Sequence, residues 1–181
     1  MEDRDKLSMI LRAYQVYFRK LAFDQLPRIA EKYLGEAGFR VVADALAEAT
    51  VAALPGLIEA TKDIVSIPKG DFLKVLEVHY SCHSAARSIT LDESIGLFTP
   101  KRISDNRLEL VSEQCPFGAK GLQLAAFVGV VVGVLRALGA RAVATRDPES
   151  RKYLSPGDYL VYAEDYGEKG CKIVVEKVEA S

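Results

Sequence analysis

The stretch AAFVGVVVGVLRALG, residues 125–139, constrains this chain more than any other. It has the composition of a helix, yet Gly129 and Gly133 stand in its interior. Each interior glycine costs about 1 kcal/mol relative to alanine. At i+4 spacing Gly121, Ala125, Gly129, Gly133 and Ala137 form one stripe of small residues along a predicted helix over 120–138. The other faces carry Leu124, Phe127, Val128, Val131, Val132 and Leu135. A helix apolar nearly all round is buried on every side, so the rest of the fold must wrap around it. The stripe then has two readings. It lets a neighbouring backbone approach closely, or it walls an apolar cavity of the kind that holds small ligands. The two are compatible where a neighbouring helix lies beside the pocket.

The segments on either side set the fold class. Leu7, Ile10, Leu11, Tyr14, Phe18 and Leu21 repeat with helical spacing over residues 3–22. Asp24 is placed to cap a following helix, with Pro27 in its first turn. Gly35 and Gly38 mark a hinge or a close contact. Phe39, Val42, Ala43, Leu46, Ala49 and Ala53 resume the helical period. Pro55-Gly56 predicts a break, and 58–65 a shorter helix. Ser66 to Gly70 is a second break, and Asp71 caps a helix running to about Ser88. The period then changes. Residues 102–112 alternate around Asp105-Asn106 and predict two short strands. After helix 120–138, capped by Gly139, come a strand over 140–145, a loop over 147–158, and a hairpin of 159–164 with 172–178. Helices segregated from mostly antiparallel strands make an α+β fold, with one long buried glycine-bearing helix inserted between strands. At 181 residues the chain is expected to form a single domain.

Composition narrows the function. Lys and Arg nearly balance Asp and Glu, for a formal charge of −1, and no basic block exists. A nucleic-acid-binding face is therefore not expected. The polar, acidic start does not read as a signal peptide. The run Leu122–Leu135 is shorter than the about 20 residues that span a bilayer. A cytoplasmic protein without a membrane span is expected. Three widely spaced cysteines, Cys82, Cys115 and Cys171, do not form a secreted disulfide framework.

Glu77-Val-His79-Tyr80-Ser-Cys82-His83 is the one dense group of metal-ligating residue types. On a helix, His79 shares a face with Cys82 (i, i+3) or His83 (i, i+4). That would supply two ligands to a site completed by Cys115 or Cys171. The motif lacks the glutamate that follows the first histidine in a zinc protease. The simpler reading is a small buried thiol and partly exposed imidazoles, with no metal. Arg141, Arg146, Lys101 and Arg102 read as surface charge, or as a clamp for an anionic head group. The loop 147–158 reads as an ordinary connection, or as a lid.

Glu113-Gln-Cys115-Pro-Phe-Gly precedes the glycine-bearing helix, and Gly170-Cys171-Lys-Ile-Val-Val closes the hairpin after it. Upstream, Leu34-Gly-Glu-Ala-Gly38-Phe-Arg-Val-Val-Ala-Asp-Ala-Leu lies on a helix. In this order the motifs resemble the 4-vinyl reductase domain, a hydrocarbon-binding domain with the fold of the Bet3 subunit of a vesicle-tethering complex. The resemblance covers residues 30–178 and leaves 1–30 as an added N-terminal helix. It implies an α+β fold, homodimerisation through helices, and an apolar pocket for a hydrocarbon or lipid-like molecule. Members serve as ligand sensors, in pigment pathways, or as stand-alone archaeal proteins. Sensor members hold zinc with a cysteine at the start of the glycine-bearing helix and a Glu-x2-Cys-x7-Cys run across the hairpin. This chain has no cysteine between Cys115 and Cys171, so that set is incomplete. The family-like layout puts Cys115 and Cys171 both at sheet ends, as two buried thiols or, alternatively, a disulfide.

The expectation is therefore a binding module rather than an enzyme. Its apolar ligand would lie beside helix 120–138, against Ala125, Phe127, Gly129 and Gly133, with Cys115, His79 and Tyr80 completing the site. No catalytic residue, metal or cofactor is specified. One alternative is an assembly protein of the Bet3 type that uses its helices as protein interfaces. Another is a metal-dependent enzyme built on His79, Cys82 and His83.

Overall fold

The computed structural model describes residues 2–61, 63, 70–90, 97–166 and 170–179. Five α-helices, α1 (Glu2–Lys20), α2 (Leu26–Leu34), α3 (Glu36–Thr61), α4 (Phe72–Thr90) and α5 (Ala125–Ala137), accompany one sheet. Its strands are β1 (Thr99–Ser104), β2 (Arg107–Ser112), β3 (Ala142–Ala144), β4 (Tyr159–Asp165) and β5 (Cys171–Lys177). They lie in the order β1-β2-β5-β4-β3. Only β3–β4 is parallel among these pairs. The fold is α+β, as the periodicities predict.

The sheet has two unlike faces because side chains alternate along each strand. Leu108, Leu110, Val161, Ile173 and Val175 point inward and join the main core with α5. Leu160, Tyr162 and Val174 point outward under Leu154. Ion pairs flank this smaller cluster, Glu176 with Arg107 and Arg151, and Lys172 with Glu109. The layers are thus sheet, then α5, then α3, with α4 against β1 and β2.

Five local expectations are corrected. Asp24 caps nothing: the chain stays helical through a π segment (Leu21–Gln25) that joins α1 to α2. Asp24 is buried there and accepts hydrogen bonds from Arg28 and Gln25. Pro55-Gly56 does not break α3. Val51 and Pro55 both lie on the exposed side, where water can reach the carbonyl that proline leaves without its donor. The predicted helix over 58–65 is in part the end of α3, with Asp63 beyond it in a turn; the remainder falls outside the described residues, as does most of Ser66–Gly70. Helix 120–138 shortens to α5, preceded by a 3-10 turn (Gly121–Leu124) in which Gly121 has φ +48° and leaves the stripe. Lastly, Cys115 and Cys171 form a disulfide, with 5.3 Å between Cα atoms, rather than two thiols. The backbone explains the pairing: Cys171 sits opposite Ser112 in the β2–β5 register, and Cys115 follows three residues later. Other expectations agree: Asp71 accepts the backbone N–H of Lys74 at 3.0 Å, and Gly139 takes a positive φ of 94° just beyond α5.

By length and composition α3 is apolar enough to cross a bilayer. In the fold one side of it, with Phe39, Val42, Ala43 and Ala47, is buried. The apolar side of α1 is different. Leu7, Ile10, Leu11, Tyr14, Phe18 and Leu21 form the stripe seen in the sequence, and all are exposed.

Candidate functional site

The small residues of α5 face α3. A Cβ on Gly129 would lie 2.9 Å from the Ala43 Cα, and one on Gly133 would lie 2.6 Å from the Ala47 carbonyl oxygen. Both distances are shorter than carbon can tolerate, so the glycines let two helix backbones touch. Ala125, one turn earlier, is fully buried. Gly129 and Gly133 hold α3, and none of the three residues lines the cavity described below.

The opposite side of α5 carries Phe127 and Val130, and these line a cavity of about 380 Å³. Five aromatic rings surround it: Phe23, Tyr80, Phe98, Phe117 and Phe127. Each reaches the cavity from a different part of the chain. The π segment delivers Phe23, whose ring stacks on Phe127 with 4.9 Å between centroids. Such segments re-aim side chains along a helix and recur at functional sites. Phe98 precedes β1 and meets Phe127 edge-on at 5.4 Å. Phe117 comes from the Cys115–Gly118 turn, where its φ of +56° is unusual for a side chain with a Cβ. Two ties hold that turn. Cys115 is bonded to Cys171, and Arg28, held by Asp24, donates to the Phe117 carbonyl at 3.0 Å.

Polar groups gather at one wall. His79 and His83 are one turn apart on α4, with 4.3 Å between ring centroids. Arg19 reaches the same cavity from the end of α1. Burial, and secondarily the neighbouring His83, lowers the His79 pKa to about 4. Burial and then the Arg19 charge lower that of His83. Burial pushes the Tyr80 phenol above its ordinary range. At neutral pH the imidazoles are thus uncharged, each with one N–H donor and one acceptor nitrogen.

His79, Tyr80 and Phe127, singled out in the sequence, therefore meet at one cavity. Cys115 lines a separate, more polar groove with Arg87, Lys101 and Glu113, which shares Leu97 and Phe117 with the first. Cys82 is an exposed free thiol. No group of three or more metal-ligating side chains comes together among the described residues. His79 and His83 share a face as predicted, but Cys115 and Cys171 are bonded to each other instead of completing a site. The basic candidates do not converge on a head group. Arg141 pairs with Asp158, Arg146 with Glu36, and Arg102 with Asp71. The segment 147–158 folds into a 3-10 turn capped by Asp147, and none of it lines the cavity.

Sequence reasoning missed Phe23, Phe98, Phe117, Arg19 and His83 as cavity residues. Phe117 and His83 lay in motifs already singled out, as a break and as a metal ligand. Phe23 and Arg19 depend on the π segment, which shifts the helix face by one residue and leaves no compositional mark.

No family model matches the chain, and no curated protein matches it. Among solved structures, one from a study of haem distortion in the H-NOX family covers 84% of this chain and 68% of its own. The two are 11% identical, with a TM-score of 0.47.

Proposed function

We propose that this chain is a small-molecule-binding module whose ligand is an apolar, hydrocarbon-like molecule held among Phe23, Tyr80, Phe98, Phe117 and Phe127. The observation that carries this reading is the aromatic cavity of about 380 Å³, within the size range of small-ligand sites. Each buried Å² of apolar ligand surface contributes about 25 cal/mol before ordering costs. The tight α3–α5 contact through Gly129 and Gly133 supports one wall as a rigid unit. This is the activity that the resemblance to the 4-vinyl reductase domain implies, with a sensor role in the cytoplasm and a homodimeric state. The Cys115–Cys171 bridge qualifies the compartment: intracellular disulfides persist chiefly in hyperthermophiles.

The test is native mass spectrometry and organic extraction of the purified chain, followed by titration with octan-1-ol. A co-purifying hydrophobe, or saturable octanol binding that Val130→Trp abolishes while the circular dichroism spectrum is kept, supports the reading. No binding up to the solubility limit of octanol overturns it.

A second reading has its own observation. The exposed apolar side of α1 suits a protein interface, as in an assembly protein of the Bet3 type. Recovery of a partner at fixed stoichiometry, with an empty and unresponsive cavity, would favour that role.

A further inference from the structure

One apolar face of the molecule stands open to solvent. Leu7, Ile10, Leu11, Tyr14, Phe18 and Leu21 on α1 are each 44–59% exposed. Across the π segment the next apolar residue of the face, Leu26, lies five positions on, the repeat of a π turn, and Ile29 and Tyr33 follow at helical spacing. These three are exposed as well, so the face runs for about 40 Å from Leu7 to Tyr33. Contiguous exposed apolar surface marks a contact with protein or membrane. The middle of the face is aromatic: Phe18 stacks on Tyr14 at 6.3 Å between centroids and meets Tyr17 edge-on at 5.5 Å. Tyrosines favour the head-group level of a bilayer, where the ring is buried and the hydroxyl stays wet.

We infer that this face docks on an anionic lipid bilayer, with α1 lying in the plane of the head groups. Charge separates a lipid surface from the other occupant such a face can take, a second copy of the chain. Residues 6–23 hold four cations, Lys6, Arg12, Arg19 and Lys20, and no acid, whereas the whole chain carries −1. A second copy brings the same cations and no acid from that stretch. The acids next along the chain, Asp24, Glu31 and Glu36, are already engaged by Arg28, Gln123 and Arg146. A helix with an apolar aromatic side and a cationic remainder is the kind that settles on negatively charged lipid.

Lys6 and Arg19 are engaged within the chain, so the electrostatic attraction is assigned to Arg12 and Lys20. Both are exposed and form no ion pair among the described residues. The Lys20 charge reaches Asp24, but the oxygens of that acid are taken by Arg28 and Gln25. Each cation close to an anionic surface strengthens binding by about fivefold, and salt screens that gain. The apolar side adds a part that salt does not screen. The helix lies on the bilayer rather than across it, because Arg12 stands near its middle, where a spanning helix tolerates charge least. The same continuous helix supplies Phe23 to the aromatic cavity, but docking does not depend on what fills that cavity.

The chain contains no tryptophan, so Phe18→Trp places a single reporter in the middle of the face. The experiment follows its emission in the full chain with vesicles of phosphatidylcholine containing about 30% phosphatidylserine, and with phosphatidylcholine alone. Brominated lipids, which quench on contact, are included in both, and flotation of the parent chain is measured alongside. With the anionic vesicles the emission should shift to the blue and be quenched, and the parent should float. On the reporter background, Arg12→Gln with Lys20→Gln should weaken binding by about thirtyfold. Leu11→Gln with Tyr14→Gln should abolish it, both variants keeping the parent's circular dichroism spectrum. Neither flotation nor quenching with anionic vesicles at low salt overturns the inference. Equal binding to the neutral vesicles, or undiminished affinity after Arg12→Gln with Lys20→Gln, does so too. A blue shift that grows with protein concentration in the absence of lipid shows a second copy on this face and overturns it as well. None of these readouts involves octanol, so failure here leaves the cavity reading standing.

Discussion

Gly129 and Gly133 show how a single missing methyl group can position the wall of a cavity. In an isolated helix, alanine at either position would be favoured by about 1 kcal/mol. Here the added carbon meets the backbone of α3, which cannot rotate away as a side chain would. Gly129→Ala is therefore expected to destabilise the fold by about 1–3 kcal/mol, lowering the melting temperature by several degrees. Equal or higher stability would mean that the helices are further apart than described. His79 carries the second prediction at this scale. Its pKa falls from 6.5 in the unfolded chain to about 4 in the fold because of burial, then of His83. Between these values the unfolded chain binds more protons. The stability that His79 adds is complete above about pH 6.5 and is lost as pH falls toward 4. In His79→Phe, thermal unfolding followed from pH 7 to pH 4 should lose less stability than in the parent chain. An identical decline in the two proteins would contradict this.

Among the elements, the turn Cys115–Gly118 matters most to the cavity, because it carries Phe117 between two anchors. The disulfide closes a loop over a sequence separation of 56, which corresponds to about 4 kcal/mol on a chain-entropy basis. Reduction with dithiothreitol, or Cys171→Ser, is expected to lower the melting temperature and to weaken octanol binding as Phe117 is released. Loss of stability with unaltered binding would show that Arg28 alone is enough to hold the turn. These elements were unequally legible in the sequence. The strands and α5 announce themselves because burial imposes period 2 on a sheet with one inward face and near-continuous apolarity on a central helix. Cys-Pro-Phe-Gly was visible as a turn, but not its direction, since a left-handed Phe117 has no sequence signature. The π segment was invisible for a related reason. One extra residue in a helical turn changes which side chains face inward without changing the composition, so Phe23 and Arg19 could not be assigned to the cavity. Pro55 misled in the other direction: a proline ends a helix in general, but not where the carbonyl it deprives can be hydrated.

For the whole molecule, the sheet, α5 and α3 form layers, and the cavity opens on the side of α5 that α3 does not occupy. The small-residue stripe posed a choice between a neighbour and a guest. Both exist, on different sides of the same helix, and the stripe itself serves the neighbour. What the chain alone does not explain is α1, whose apolar side is left exposed. The periodicity of Leu7, Ile10, Leu11 and Tyr14 was legible, but what would cover it was not, because an amphipathic pattern is the same whether its partner is intra- or intermolecular. On the homodimer reading, Leu11→Glu with Tyr14→Glu is expected to convert a dimer to a monomer in sedimentation velocity, with the melting transition of the core little changed. A parent chain that sediments as a monomer at high concentration would remove that reading.

The binding account stands or falls on what fills the space bounded by the five rings. Its most direct test is a crystal structure of the chain purified without any added ligand, read for electron density between Phe127 and the His79–His83 pair. Continuous non-protein density, with an apolar body against Phe23 and Phe98, is the predicted result. Density showing the rings collapsed onto one another, with no space left between them, would contradict it.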